Sequence, residues 1–342
     1  MPFKMLCLGD VMLGENINHI GRGIRTYFGD DFSKLIDPNV YETLIENIDY
    51  IFYNFEYSIN PGNRKYTDNY KDMIYISEIK SIRLFNNNLI KIVNIANNHF
   101  SQHGRQIASY TKRVLKQNGF FIVGESEEPI LIYNGGNKIF FWGVSLVADP
   151  NFCDEYFLSD YDSVCKELKL HKKKENEKWI ISIHWGDEYM SQPSKKQIEL
   201  AHGLIEGGFD LIIGHHPHVI QPIEIIDNKA IIYSLGNFIF DQNFSQKTQQ
   251  GLVVKLIFDE LMLKIDKIYI TIQKNYKISE IYIAKKLNIK SYSYLTYNFI
   301  LFILNKVYRV LMKIEILKNL RKINNVTKKY YLNKLKRYLH PK

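Results

Sequence analysis

The stretch LIIGHHPHVIQPIE, residues 211–224, carries three histidines within four positions, directly after an apolar run and a glycine. The whole chain of 342 residues contains only ten histidines, so this cluster is unusual. A short apolar run bounded by glycine is typical of a buried strand, which we predict over residues 209–214. His215, His216 and His218 then follow the carboxyl end of that strand. The proline between the last two restricts the backbone and keeps both imidazole rings near one point.

Similar apolar runs recur through the first 240 residues and alternate with helix-like segments, which is typical of an α/β sheet core. From about residue 219 the pattern changes to consecutive strands joined by polar turns. We therefore predict one domain of mixed sheets over residues 1–284 and a separate tail over 285–342. The predicted strands span residues 3–9, 50–55, 90–96, 120–124, 138–145, 178–186, 209–214 and 230–238, and the predicted helices span about 39–48, 77–88, 104–118, 161–175 and 193–207.

Polar residues collect where these strands stop. In open α/β sheets, ligands bind in the crevice outside the carboxyl ends of the strands, so we expect these side chains to share one rim. The set consists of Asp10, Asn54, Glu56, Asn97, Asn98, His99, His184, His215, His216 and His218. Imidazole and carboxylate groups on a rigid sheet edge suit Mn²⁺, Zn²⁺ or Fe²⁺. One or two such ions would polarise a substrate oxygen and lower the pKa of a bound water.

Each of these residues also has a structural alternative. Asp10 could cap the following turn, Glu56 could be an exposed carboxylate, and His99 could be a hydrogen-bonded loop residue. His184 stands within an apolar segment, where a buried imidazole costs free energy unless it is bonded. Because five separate strands deliver such residues to one edge, we favour a ligand-binding or catalytic site over coincidence.

Six segments of the chain resemble, in order and spacing, the CapA family of bacterial capsule and poly-γ-glutamate synthesis proteins. They are GDVMLGE (9–15), NFEYSI (54–59), ANNHFSQHG (96–104), HWGDEY (184–189), GHHPHVIQPIE (214–224) and YSLGNFIFD (233–241). The match covers about residues 3–260. This family is similar to the calcineurin-like metallophosphoesterases, so the resemblance implies an α/β fold of that type, a four-layer α/β/β/α sandwich.

The resemblance also implies roles for individual residues. The metal ligands would be Asp10, Glu56, Asn98, His184, His216 and His218, and His99 would steady the transition state or protonate the leaving oxygen. Six further residues are expected to surround and orient these groups, namely Asn54, Asn97, Asp187, Glu188, His215 and Asn237. The cofactor would be one or two divalent ions of Mn, Zn or Fe.

One position departs from the phosphoesterase pattern, in a way that is typical of the CapA branch, and a second departs from the CapA pattern itself. A phosphoesterase first motif carries a histidine two residues after its aspartate, where this chain has Met12, a poor ligand for such metals. The loop after Asn-Asn-His usually carries an acid, where this chain has Gln102, and His103 could compensate. The first change leaves one metal short of a ligand and argues against a fully dinuclear site.

Three functions therefore stay open at this point. The first is a metal-dependent hydrolase of the phosphoesterase type that acts on a cell-envelope polymer or its phosphorylated precursor. The second is a non-catalytic assembly partner of a membrane-bound polymer synthase, which Met12 favours. The third is an amide hydrolase that trims poly-γ-glutamate.

The formal net charge of +9 belongs to the tail. Residues 285–342 hold 15 Lys and Arg against one acid, a net charge of +14, which leaves 30 basic and 35 acidic residues, or −5, in the rest of the chain. Nucleic acid is therefore an unexpected partner for the whole protein, and no recognition motif accompanies the basic residues. Three scattered cysteines and an N-terminal apolar run of only five residues favour a cytoplasmic location.

The tail favours an amphipathic, basic helical extension at an anionic membrane surface. Its segment YLTYNFILFIL, residues 294–304, is strongly apolar, but a bilayer-spanning helix needs about 20 such residues. On a helical projection, Asn305, Lys306, Arg309 and Lys313 fall in a wedge of about 100° beside a broad apolar face. The protein would then lie peripherally on the inner face of the membrane. The alternatives are packing of this helix on the catalytic domain and a dimer interface.

Overall fold

The central strands are apolar on both faces, as expected for sheets that are covered on both sides. In a computed structural model of the chain, the strand Phe3–Val11 directs Met5 and Cys7 to one buried face and Leu6 and Leu8 to the other. The structure describes residues 2–15, 23–28, 31–62, 74–85, 88–134, 136–258, 263–284 and 294–319.

Within these ranges the chain forms sixteen strands and six α-helices. The strands are β1 (Phe3–Val11), β2 (Tyr50–Phe55), β3 (Ser58–Ile59), β4 (Ile76–Ser77), β5 (Ile90–Asn94), β6 (Phe121–Val123), β7 (Ile130–Asn134), β8 (Asn137–Ser145), β9 (Glu177–His184), β10 (Leu211–His215), β11 (Ile223–Ile226), β12 (Lys229–Ile232), β13 (Asn237–Ile239), β14 (Gln250–Phe258), β15 (Leu263–Lys274) and β16 (Lys277–Ile283). The α-helices are α1 (Ile24–Phe28), α2 (Pro38–Ile45), α3 (Arg105–Gln117), α4 (Val164–Glu167), α5 (Lys195–Glu206) and α6 (Tyr294–Asn319), and short 3-10 helices span Phe32–Leu35 and Ile79–Phe85.

The described strands form two large sheets and a small one. The first sheet has the order β16-β15-β14-β1-β2-β5-β6, with β13 paired to β1, and the second has the order β11-β12-β10-β9-β8-β7. Strands β3 and β4 pair with each other. In the first sheet β1, β2, β5 and β6 run parallel, and in the second β8, β9, β10 and β12 do so. The carboxyl ends of the central strands therefore lie together at one edge of each sheet.

Three apolar clusters divide the molecule into four layers. The middle cluster lies between the two sheets and includes Phe52 from the first and Phe141 and Ile213 from the second. A second cluster includes buried residues of α2 and α3 on the outer face of the first sheet. The third includes buried residues of α5 on the outer face of the second sheet. This layering confirms the predicted α/β/β/α sandwich.

Several predicted elements differ from the structure in their extent. The apolar run 230–238 forms two strands instead of one, because β12 belongs to the second sheet and β13 to the first. The chain crosses between the sheets at Gly236, whose φ of +69° suits a residue without a Cβ. The segment 77–88 forms a 3-10 helix over its central part. Strands β3, β4 and β7 and helix α1 were not predicted.

The predicted helix over 161–175 is reduced to the single turn of α4. Leu168, which follows this turn, has an extended backbone. Farther along, the Lys173 ammonium donates to the Asp210 carboxylate at 2.6 Å and to the Gly208 carbonyl at 2.7 Å. These bonds hold the segment against the start of β10, so tertiary contacts override its helical pattern.

The tail begins as the predicted helix, α6. Among the described helices, none combines the length and the apolar character needed to span a bilayer. The Lys306 ammonium lies 4.4 Å from the ring centroid of Phe302. The side chains of Arg309 and Lys313, also predicted to face a membrane, lie outside the described residues. The division into a domain over 1–284 and a tail over 285–342 stays a prediction.

Candidate metal centre

A row of four buried polar residues crosses the first sheet near the carboxyl ends of its strands. In the register of the sheet, Asn237 pairs with Asp10, Asp10 with Asn54, and Asn54 with Asn94. Register partners on neighbouring strands direct their side chains to the same face of a sheet. The pairing of β1 shifts beside Asp10, and such bulges occur next to active sites because they redirect a side chain.

The second sheet supplies histidines that face this row. His184 ends β9 and His215 ends β10, and the two residues are register partners. The Nδ1 atom of His215 lies 2.9 Å from Oδ1 of Asp10. A histidine of the second sheet therefore contacts an aspartate of the first, and the site closes the crevice between the sheets at their carboxyl edge.

Both carboxylate oxygens of Asp10 are engaged. Oδ1 accepts a hydrogen bond from Asn54 Nδ2 at 3.0 Å in addition to its contact with His215. Oδ2 accepts from the backbone N–H of His216 at 3.2 Å and lies 3.3 Å from Nδ1 of His218. Burial alone would raise the pKa of Asp10, but the bonds and charges of His215 and His218 outweigh burial and hold this pKa well below its usual range. Asp10 is therefore a charged carboxylate.

Glu56 is a second buried carboxylate beside Asp10. Its Oε1 accepts from Asn54 Nδ2 at 2.7 Å and lies 3.7 Å from Nδ1 of His184. Burial, and then the negative charge of Asp10, raise the pKa of Glu56 well above its usual value. The pair of carboxylates therefore holds a proton unless additional positive charge is supplied.

The His-Pro-His step turns sharply beyond β10. His216 and His218 have φ values of +93° and +57°, a left-handed conformation that costs about 1–3 kcal/mol for residues other than glycine. The turn is held in part by the backbone N–H of Tyr189, which donates to the Pro217 carbonyl at 2.8 Å. It leaves the ring centroid of His216 4.7 Å from that of His184 and 5.8 Å from that of His218.

Four buried polar atoms of this site have no hydrogen-bond partner in the described part of the chain: Glu56 Oε2, His215 Nε2, His216 Nδ1 and His218 Nε2. One such atom costs about 1–3 kcal/mol, so four in one place require an explanation. Carboxylate oxygens of Asp10 and Glu56 and a ring nitrogen of His218 also lie within 4.8 Å of one another. Buried oxygen and nitrogen donors at this spacing fit a divalent cation, which would also supply the positive charge that the two carboxylates lack.

The loop after β5 brings Asn98 and His99 to the same rim. Asn98 Oδ1 lies 2.9 Å from Nε2 of His184. The His99 ring stacks on Tyr75 with a centroid distance of 3.7 Å, and its Nδ1 lies 3.3 Å from Oε1 of Gln102. Because an amide oxygen only accepts, this contact places the ring proton on Nδ1 and leaves Nε2 as the nitrogen that can exchange a proton.

Comparison with known proteins agrees with the resemblance seen in the sequence. A family model described as "Bacterial capsule synthesis protein PGA_cap" matches residues 4–242. The chain belongs to this family. It is 26% identical to the capsule biosynthesis protein CapA of Bacillus anthracis over 291 residues. The aligned segment covers 79% of this chain and 67% of that protein. It is 28% identical to the PGA biosynthesis protein CapA of Bacillus subtilis (strain 168) over 261 residues. This aligned segment covers 72% of this chain and 65% of that protein.

This member of the PGA_cap family therefore spans about two thirds of the length of these two relatives. Among solved structures, a phosphatase from Mycoplasma pneumoniae matches with a TM-score of 0.44 and 12% sequence identity, over 83% of this chain and 93% of that one.

Met12 and Gln102, the two departures from the expected motifs, have different surroundings. Met12 is fully buried in the apolar cluster on the outer face of the first sheet. It contributes to the core, and a thioether there does not replace a histidine ligand. Gln102, at the position where the resemblance led us to expect an acid, contacts His99 directly. A neutral amide thus orients this ring where a charged carboxylate would otherwise lie. His103 Nε2 lies 2.7 Å from the Ile74 carbonyl.

Besides Asn54 and His215, three more of the residues expected to surround the ligands contact the site or its loops. Asn237 Oδ1 lies 3.0 Å from Nδ1 of His218. Glu188 Oε1 lies 3.9 Å from Nε2 of the same histidine, so Glu188 stands at the open side of the site. Asn97 braces the loop, because its Nδ2 donates to the Phe55 carbonyl at 3.0 Å.

Asp187 differs from the expectation that it would orient a histidine ring. Its carboxylate accepts a hydrogen bond at 2.8 Å from the hydroxyl of Tyr297, which lies in the first turn of α6. Asp187 therefore connects the loop after His184 to the C-terminal helix. No local sequence signal indicates this contact, because 110 positions separate the two residues.

Asn94 supports the site and was not among the predicted residues. Its Nδ2 donates to Oδ1 of Asn54 at 3.3 Å, and its Oδ1 accepts from the backbone N–H of Ala96 at 3.1 Å. The first bond orients the Asn54 amide so that its nitrogen faces both Asp10 and Glu56. Asn94 was not predicted because it lies inside the apolar run of β5. A polar residue within such a run is the sequence feature that could have identified it.

Replacing Asn94 with alanine is expected to weaken divalent metal binding about 10–100-fold, the usual effect of removing a partner that orients ligands. The buried Asn54 carbonyl and Ala96 amide would lose their partner, so stability should also fall by about 1–3 kcal/mol. Isothermal titration with Mn²⁺ or Zn²⁺ measures the first effect, and urea unfolding the second. Asn118→Ala is the matched control, because it removes an amide bond to the Val114 carbonyl in α3, outside the site. Equal metal affinity in both variants would contradict the role assigned to Asn94.

Proposed function

We propose that this chain is a metal-dependent hydrolase of the phosphoesterase type that acts in the synthesis of capsule or poly-γ-glutamate. The observation that carries the proposal is the group of buried donor atoms without partners at the carboxyl edge of two facing sheets. The polymer context comes from the family and from the relatives named for capsule and PGA biosynthesis. The substrate would be a cell-envelope polymer or its phosphorylated precursor.

The proposed metal ligands are Asp10, Glu56, Asn98, His184, His216 and His218. A bound divalent cation supplies positive charge that polarises a phosphoryl oxygen and acidifies water. Asn54 donates to both carboxylates and so keeps their oxygens directed at a common point. His99, held by Gln102 and stacked on Tyr75, has an unprotonated Nε2, which would take up the proton that the attacking water loses and pass it to the leaving oxygen.

A non-catalytic role as an assembly partner of a membrane-bound synthase is the second candidate. Met12 favours it, because its burial in the core leaves the position of a phosphoesterase histidine without a ligand. In that role the cation would stabilise the crevice between the sheets without turnover. Amide hydrolysis of poly-γ-glutamate is chemically compatible with the same ligands, and the choice of substrate in the assay separates it.

The test compares metal content and turnover in the same preparations. We expect the purified chain to bind Mn²⁺, Zn²⁺ or Fe²⁺ stoichiometrically by elemental analysis and to hydrolyse an aryl phosphate with that metal added. His216→Ala should lose metal and activity together. His202→Ala is the control, because this partly exposed histidine of α5 pairs with Glu224 at 3.1 Å, outside the site.

Stoichiometric metal without turnover of any aryl phosphate or γ-glutamyl amide would favour the assembly role. A chain that binds none of the three metals, with a His216→Ala variant that supports polymer formation in the cell as well as wild type, would overturn the metal-centre proposal altogether. Chelation followed by re-addition of each metal completes the experiment, since recovery of activity identifies the functional ion.

A further inference from the structure

Helix α6 carries exposed apolar side chains that the proposed function does not use. They are Phe299, Ile303, Val307, Val310 and Ile314, and we call them the α6 strip. Their exposed fractions run from 40% for Ile303 to 65% for Phe299, although such residues are usually buried. At 100° per residue they fall within an arc of about 80°, so they form one continuous face.

The strip is not the face that packs on the domain. Tyr297 makes that contact, because it is 8% exposed and donates to Asp187. On the helical projection Tyr297 lies about 120° from the centre of the strip. The first turn of α6 is therefore attached to the domain while the strip points elsewhere.

A basic residue with a described side chain, Lys306, lies beside the strip. The ammonium of Lys306 rests near the ring of Phe302 at one edge of it. By sequence, residues 285–342 carry 15 Lys and Arg against one acid. An apolar helical face with a basic border suits an anionic lipid surface, where the apolar residues enter the interface and the cations meet the headgroups. A second copy of the chain is a poorer occupant, because its tail would bring a like charge of +14.

We propose that the α6 strip is a docking surface for an anionic lipid bilayer, with the helix lying in the plane of the interface. The proposal goes beyond the hydrolase assignment and does not depend on it. Asp187, which holds the first turn of α6, follows His184 by three residues and adjoins Glu188 at the open side of the metal site. Docking would therefore connect the loop of Asp187 and Glu188 to the membrane through the first turn of α6.

The test is vesicle flotation with the full chain. We expect it to float with vesicles of phosphatidylcholine mixed with phosphatidylglycerol. With vesicles of phosphatidylcholine alone, it should remain unbound at the bottom of the gradient. The triple variant Phe299→Ser, Ile303→Ser and Val307→Ser should weaken binding at least about tenfold, because three apolar side chains no longer enter the interface. The control is Ile225→Ser with Ile283→Ser, which removes two exposed apolar side chains from β11 and β16.

Three results would overturn the proposal. The full chain could fail to bind anionic vesicles, the triple variant could bind as tightly as the control, or light scattering could show a dimer that the triple variant dissociates. The last result would assign the strip to contact between copies. Since the substituted residues are exposed, the triple variant should keep the thermal unfolding midpoint of the wild type, which excludes misfolding as the cause of lost binding.

Discussion

Replacing Asp10 with asparagine is expected to abolish divalent metal binding, a larger effect than the roughly 10–100-fold loss expected at a residue that only orients a ligand. The substitution removes the charged carboxylate at the centre of the site. It also places an amide where Asn54 and the backbone N–H of His216 both donate, so one donor faces another. Titration calorimetry and the shift of the unfolding temperature on metal addition measure the loss.

Asp210→Asn is the matched control for this prediction. Asp210 directly precedes β10, at the end opposite His215, and it accepts from Lys173 and from the backbone N–H of Trp179. Its replacement should lower stability modestly and leave the metal affinity unchanged. Similar metal affinity in Asp10→Asn and Asp210→Asn would mean that the cation, if it binds, does not use the carboxylate of β1.

The location of this site can be predicted from the sequence because the ends of the strands can be recognised in it. Apolar runs mark β1, β5 and β10, and the polar residues after them collect at one edge when the strands are parallel. Asp10 and His215, 205 positions apart, are in contact for this reason. The family resemblance then distinguishes His216 and His218 from His215, which lies on the ladder of β10 and bonds Asp10.

The missed features depend on contacts that a single sequence does not encode locally. The run 230–238 is uniformly apolar, and only its pairing with two different sheets divides it. Asn94 lies in an apolar strand, and it supports the site through a hydrogen bond to Asn54 in the neighbouring strand. Asp187 pairs with Tyr297 across 110 positions. In each case the partner is selected by tertiary packing, which overrides local pattern.

Gly214→Ala is expected to destabilise the fold by more than about 4 kcal/mol, the range reached when a core substitution cannot be accommodated. A Cβ at this position would stand 2.0 Å from the Tyr233 carbonyl oxygen and 2.5 Å from Nε1 of Trp185. The two groups bond each other at 2.9 Å, and backbone atoms cannot turn aside as a flexible side chain does. The strand β10 would have to move, and His215 and His216 with it.

Gly203→Ala supplies a control of opposite sign. Gly203 lies inside α5, and apart from its neighbours in the chain and the backbone of the same helix, no described atom approaches within 4 Å of the place a Cβ would take. Alanine there should stabilise the protein by up to about 1 kcal/mol, because it is the better helix former. Chemical denaturation of both variants measures the contrast. If Gly214→Ala unfolds at the same denaturant concentration as wild type, the close approach at Tyr233 is not rigid. The glycine that precedes the three histidines would then not be required for the fold.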